Sequence, residues 1–164
     1  MLKSKDKIKE RKILKKILDI LRRKGKKIVF TNGCFDLVHI GHVRYLEKAR
    51  GFGDILVVAI NTDSSIKRIK GRERPITPQG ERAEVLASLG CVDYVTFFNE
   101  DTPYELIEML RPGILVKGGD WKKKDIVGSD IVEGSGGRVY AIPYIRGAST
   151  TGIIKRVLKR FSDD

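Results

Sequence analysis

A chain of 164 residues, 41% hydrophobic and 33% charged, has the material for one globular domain with a real core. No apolar run approaches the ~20 residues of a membrane span. No secretory leader is visible, and two cysteines, Cys34 and Cys91, make no disulfide framework, so the cytoplasm is the expected compartment. The net charge of +12 suggests a nucleic-acid partner until it is mapped. Residues 1–27 carry 13 Lys and Arg against 3 Asp and Glu, a net of +10, and the other 137 residues carry 20 against 18, a net of +2. The basic excess belongs to the N-terminal segment, and no nucleic acid is expected at the remainder.

Residues 6–24 read as an amphipathic helix. Leu14, Ile17, Leu18 and Leu21 make an apolar stripe at helical spacing, and Gly25 suits the position just past the end. This predicts a basic helix over 1–25 ahead of a main domain over 26–164. The helix either packs on that domain with its charges in water or binds an anionic partner; packing is preferred.

The main domain opens on Ile28–Phe30, an apolar run, followed by a turn at Thr31-Asn32-Gly33 and a helix from about His39 to Arg50. A strand, a glycine turn and a helix start form the opening of a parallel α/β sheet with a site at the strand's C-terminal end. His39 and His42 lie i, i+3, on one face of that helix near its N-terminus, where the dipole and free N–H groups favour an anion. Gly41 admits close approach to the backbone. The pair has three readings: a polar helix face, a metal pair, or imidazoles aimed at a phosphate. The chain's two histidines are both used here and the cysteines are not spaced as metal ligands, so no metal site is expected. The phosphate reading is preferred.

Ile55–Ile60 is a continuous apolar run, as for a strand buried on both faces, and it ends at Asn61 where a ligand would sit. Residues 64–77 break the α/β alternation with Lys67, Arg68, Lys70, Arg72 and Arg74 among Gly71 and Pro75. They read as a charged loop, either solvated or a flap whose Lys70 or Arg74 reaches phosphate oxygens; the flap is preferred. Thr77 and Pro78 open a helix to about Leu89. A third strand is expected at Val92–Phe98 and a helix capped by Asp101 or Thr102. A strand at Ile114–Lys117 leads into Gly118–Trp121. A short helix and turn, a strand at Arg138–Ile142 and a helix from about Gly152 to Phe161 complete the chain. Ser149, Thr150 and Thr151 precede that helix; capping explains one hydroxyl, and three together suit a phosphate. The pattern predicts an α/β fold, a Rossmann-like doubly wound parallel sheet.

Thr31, Gly33, Phe35, Asp36, His39, Gly41 and His42 spell T-x-G-x-F-D-x-x-H-x-G-H. This resembles the signature of the nucleotidyltransferases related to glycerol-3-phosphate cytidylyltransferase, and the resemblance covers about residues 26–161. The His39–His42 spelling is shared with class I aminoacyl-tRNA synthetases. Their lysine-rich second motif is absent, and the length leaves no room for tRNA-binding modules. Within the nucleotidyltransferases, Lys70-Gly-x-x-Arg-Pro-Ile76 and Val116-Lys-Gly-Gly-Asp-Trp121 look like the heptose-1-phosphate adenylyltransferases of lipopolysaccharide precursor synthesis, in a form without a fused sugar kinase.

The resemblance implies transfer of AMP from ATP, with Mg²⁺, to a sugar 1-phosphate. His39, His42 and Lys70 would be catalytic. Thr31, Asn32, Gly33, Cys34, Phe35, Asp36, Gly41, Asn61, Arg74, Ser149, Thr150 and Thr151 would bind the nucleotide and its phosphates. Lys117, Gly119, Asp120, Trp121 and Arg146 would shape the substrate pocket; Arg146 stands where related sequences often have an acid. A homodimer is expected, as relatives commonly form one. Alternatives are a glycerol-phosphate cytidylyltransferase, a flavin adenylyltransferase, a regulatory nucleotide binder, or a nucleic-acid-binding module using the basic helix.

Overall fold

The computed structural model describes residues 3–119, 121–143 and 147–162. Five strands, β1 (Ile28–Gly33), β2 (Ile55–Asn61), β3 (Tyr94–Phe98), β4 (Ile114–Gly118) and β5 (Arg138–Ile142), form one parallel sheet in the order β3-β2-β1-β4-β5. Eight helices accompany them among the described residues: α1 (Ser4–Lys7), α2 (Arg11–Arg23), α3 (Ile40–Arg50), α4 (Asp63–Lys70), α5 (Gln79–Ser88), α6 (Tyr104–Leu110), α7 (Ser129–Gly134) and α8 (Thr150–Phe161). The doubly wound parallel fold expected from the sequence is the fold observed.

Strand residues alternate between two cores, as the two-residue period of a strand requires. Val29, Leu56, Val58, Ile60 and Val116 face α3 and α5. Ile28, Phe30, Val57, Ala59 and Leu115 face α2, α6 and α7. The crossovers explain the arrangement. Those through α3 and α5 cover one face of β1, β2 and β3, and those through α6 and α7 lie on the other. That second face needs a further cover, and α2 provides it through Leu14 and Leu18, both essentially inaccessible.

Several of the N-terminal charges are engaged. Arg11 pairs with Glu100, Lys15 and Arg22 with Asp19, and Lys7 donates to the carbonyls of Leu89 and Val92. Arg22 also caps the C-terminal end of α6 by donating to the carbonyls of Leu110 and Arg111. Gly25, at φ +76°, closes α2: its N–H reaches the carbonyl of Arg22 while the N–H of Lys26 reaches that of Leu21.

The structure corrects several boundaries. The helix expected over 6–24 is broken: Ile8 forms a parallel bridge with Val95 beside β3, Lys9 donates to the Val95 carbonyl, and Glu10 then caps α2. Pairing with the sheet outweighs the helix propensity of these residues. β1 continues through Gly33, so the turn expected at Thr31-Asn32-Gly33 begins only at Cys34, and β3 starts at Tyr94 and not Val92. The expected loop at 64–77 is helical to Lys70, because Thr62 caps α4 by accepting from the Ser65 N–H. Thr77 does not cap α5, whose N-cap is Pro78, and neither Asp101 nor Thr102 caps α6, whose N-cap is Pro103. α8 starts at Thr150, earlier than expected, with Ser149 as its cap.

If α2 is part of the core, Leu14→Ala should cost about 3 kcal/mol, the usual scale for emptying a buried leucine site. Urea denaturation should show a lower midpoint at unchanged slope; an unaltered midpoint would mean that α2 is dispensable to the fold.

Candidate active site

The strand order reverses at β1: the chain leaves it towards β2 and β3, then returns to its other side at β4. At such a switch point the loops following the two strands diverge and leave a crevice. Here the crevice is a cleft of about 1230 Å³. It gathers Asn32, Gly33, Cys34, Phe35, Asp36, His39, Gly41 and His42 from the end of β1, the turn that follows and the start of α3, with Asn61 from β2 and Lys117 from β4. Lys70, Arg74, Trp121 and Ser149 to Thr151 complete the predicted residues it brings together.

Two predicted residues fall elsewhere. Thr31 is fully buried, on the same face of β1 as Val29. Its hydroxyl meets that of Tyr45 at 2.5 Å, and Tyr45 donates to the Val116 carbonyl, joining α3, β1 and β4 beneath the cleft. Gly119 is buried and outside the lining. Asp120 and Arg146 lie outside the described residues.

His39 is the N-cap residue of α3, in extended conformation, and His42 stands in the first turn. Their rings stack with centroids 3.8 Å apart, and Phe35 tilts against His42 at 5.0 Å. Two glycines permit this. A Cβ on Gly33 would stand 2.8 Å from the Phe35 ring, and one on Gly41 would stand 2.9 Å from His39 Nδ1 and 3.0 Å from Ala148 Cβ. The space a side chain at position 41 would need is thus taken by protein, while Gly41 itself lines the cleft. Both Nδ1 atoms are buried without a hydrogen-bond partner among the described residues.

The contact of Ala148 with Gly41, and a bond from the Thr150 hydroxyl to the Leu37 carbonyl at 3.4 Å, bring the N-terminus of α8 beside that of α3. Two helix N-termini therefore meet at one wall of the cleft, each adding partial positive charge. Ser149 Oγ accepts from the Gly152 N–H and so serves as the cap, while the Thr151 side chain is exposed at the cleft.

Cations surround the pair. Lys70 ends α4; Lys117 donates to Asn32 Oδ1 at 3.3 Å; Arg44 and Lys48 reach the cleft from α3. Sequence reasoning passed over Arg44 and Lys48, although their i, i+4 spacing one turn after His42 was a usable signal. Burial pushes Lys117 below the usual lysine range, and Lys70 adds to the effect. Burial likewise lowers His39 and takes His42 to about 4, with the charges of His39 and Lys70 contributing to the latter. Burial alone would raise Asp36, but the N–H groups of Thr77 and Ile76 and the Arg74 guanidinium hold it below the ordinary range. The cleft thus offers neutral imidazole donors among fixed cations, an arrangement suited to a polyanion. Among the described residues no group of three or more His, Cys, Asp or Glu could hold a metal ion.

Arg82 also escaped the sequence reading. It is fully buried, yet its guanidinium donates to the carbonyls of Thr77, Cys34 and Asn61 and pairs with Asp63 at 2.7 Å. No local pattern marks it, since arginine is rarely found inside.

The histidine environment sets a pH dependence. The unfolded chain takes up the His42 proton near pH 6.5, whereas the folded chain does so only near 4. Between these values the unfolded state binds more protons, so this contribution to stability is complete above about 6.5 and is lost as the pH falls towards 4. NMR titration of the ring protons should give one midpoint near 4 and the other below 6.5; two midpoints at or above 6.5 would contradict the buried, neutral pair.

Comparison with known proteins agrees with this geometry. A sequence model described as cytidylyltransferase-like matches residues 30–156, from β1 into α8. The chain is 56% identical over 155 residues to the bifunctional protein HldE of Syntrophotalea carbinolica, covering 94% of this chain and 32% of that protein. It is 57% identical over 137 residues to the protein of the same name from Nitratiruptor sp., covering 84% and 29%. It therefore spans about a third of the length of the curated relatives it matches. Among solved structures it is similar to the lipopolysaccharide core biosynthesis protein of Thermoplasma volcanium, with a TM-score of 0.61 and 27% identity over 74% of this chain and 98% of that one. A pantoate-beta-alanine ligase from Francisella tularensis, solved in complex with beta-gamma ATP and beta-alanine, shares the fold with a TM-score of 0.60 at 17% identity over 96% of this chain and 79% of that one. With a histidine turn at the switch point of a parallel sheet and a family match from β1 into α8, this chain belongs to the cytidylyltransferase-like family of nucleotidyltransferases.

Proposed function

We propose that the chain transfers AMP from MgATP to a sugar 1-phosphate, a heptose 1-phosphate, releasing pyrophosphate and an ADP-sugar. The observation that carries this reading is the stacked, neutral His39–His42 pair between two helix N-termini and a ring of cations. The sugar class rests on the bifunctional HldE relatives and on the similarity to a lipopolysaccharide core biosynthesis protein. The Lys70–Ile76 and Val116–Trp121 motifs support it as well.

In the reaction an oxygen of the sugar phosphate attacks the α-phosphorus. The bond from that phosphorus to the bridging oxygen breaks, and pyrophosphate leaves with the electron pair. A phosphate oxygen is already a competent nucleophile at neutral pH, so the protein's work is positioning and charge stabilisation. Neutral imidazoles each offer one N–H, and His39 and His42 would donate to the α-phosphate oxygens as charge develops. Lys70 and the outer edge of Arg74 would hold the triphosphate. Thr151 and the free N–H groups of α8 would take the pyrophosphate end. Lys117 and Trp121 would contact the base or the sugar. Magnesium would arrive as part of MgATP, held mostly by phosphate oxygens and water: Asp36 is already committed to Arg74 and to the N–H groups of Ile76 and Thr77, and no cluster of three or more ligating side chains occurs among the described residues. Cytoplasmic action as a homodimer is part of the same proposal.

Pyrophosphate release from ATP or CTP with heptose 1-phosphate, glycerol 3-phosphate or FMN tests the assignment. Release with ATP and the heptose is expected; release with CTP and glycerol 3-phosphate would move the chain to a sister activity. His42→Ala should lower kcat by ~10²-fold, the scale of losing a transition-state donor. Near-normal turnover in that variant would remove His42 from the mechanism.

A further inference from the structure

One segment of the cleft wall is held in a way the reaction alone does not explain. Residues 71–78 connect α4 to α5 and form a strap carrying Arg74, with Lys70 at its upstream end. Gly71, Arg72 and Glu73 are exposed, and Gly71 adopts φ +96°. At the downstream end the strap is gripped from both sides. Asp36 accepts from the backbone N–H groups of Ile76 and Thr77, each at 2.9 Å, and from Arg74 Nε at 2.6 Å. Arg82 Nε donates to the Thr77 carbonyl at 2.9 Å. Both polar groups of the Thr77 peptide backbone are therefore fixed by buried side chains.

The same two side chains also fix the histidine turn. Asp36 belongs to it, three residues before His39. Arg82 holds it through the Cys34 carbonyl at 2.6 Å, and holds the end of β2 through the Asn61 carbonyl at 2.9 Å. Asp63, which neutralises Arg82, exchanges two further bonds with Gln79 at the start of α5. One buried guanidinium thus joins the turn after β1, the end of β2 and the root of the strap. The chemistry of the residue matters: a guanidinium presents several donors in a fixed plane, and an ammonium on a flexible stem does not.

We propose that Asp36 and Arg82 act together as a clasp, two positioning residues that set the distance between the cationic strap and the histidine pair. The clasp also dictates which edge of Arg74 faces ligand, since Nε is spent on Asp36 and the terminal N–H groups are left for the cleft. Its relevance to catalysis rests on the nucleotidyl-transfer reading above; its mechanical role does not.

The test uses the full chain with Arg82→Lys and Asp36→Asn. Hydrogen exchange without nucleotide should accelerate in residues 33–36 and 74–78 in both variants, while β3 and β4 keep their protection. Trp121 is the chain's one tryptophan and lines the cleft, so its fluorescence reports MgATP binding without catalysis. The affinity should weaken about tenfold in both variants. Uniformly faster exchange across the sheet would overturn the clasp, reducing both residues to core stabilisers. Unchanged exchange at 74–78 would overturn it as well. If Arg82→Lys does not fold, Asp36→Asn decides alone, because its side chain keeps the same shape. Absence of any MgATP response in the unmodified chain would count against the nucleotidyl-transfer reading, and the exchange pattern would still decide the clasp.

Discussion

The site depends on a topological constraint. Parallel strands must be joined by crossovers, and a chain that winds one way from β1 and then returns to its other side has to part its loops at that point. The parting occurs where β1 ends in Asn32 and Gly33, and everything ligand-facing hangs from it. α3 begins there with the histidine pair, Lys117 rises from β4 alongside, and α8 is brought against α3 through Ala148 and Thr150. Burial of the two sheet faces is what makes the parting rigid. α2 has a share in that, since it closes the face of β1, β2 and β3 that the crossovers leave bare.

Electrostatically the cleft combines two opposed tendencies. The same burial that removes charge from His42 and lowers Lys117 lets the surrounding cations act through a low-dielectric medium. Neutral imidazoles can then approach each other to stacking distance, which two imidazolium ions would resist. Asp36, an acid of the cleft wall that might have weakened the cationic field, is engaged by Arg74 and two backbone N–H groups.

The strand runs, the histidine turn and the hydroxyl-bearing start of α8 were legible because each is a local pattern: apolar continuity, a glycine turn ahead of a helix, a capping cluster. Other features answer to tertiary partners. Ile8–Glu10 are unexceptional helix residues, yet Val95 pulls Ile8 into a bridge. α4 has Ile66 and Ile69 as its sole strongly apolar residues, too few to show a period among so many charges, and its cap fixes it instead. Thr31 looked ligand-facing as part of a motif, but strand parity sends its hydroxyl to Tyr45. Arg82 could not be read at all, because nothing in a sequence distinguishes an arginine whose donors meet three carbonyls from one in water.

The bridge between Ile8 and Val95 has a consequence for the sheet as a whole. An edge strand offers an unpaired row of backbone groups that another strand can join. On the β3 side that row is partly occupied by Ile8 and Lys9. On the β5 side no described strand follows. The two margins therefore differ: among the described residues that of β3 is partly paired and that of β5 carries no further strand. Among the described residues, the backbone row left open to a further strand is chiefly that of β5.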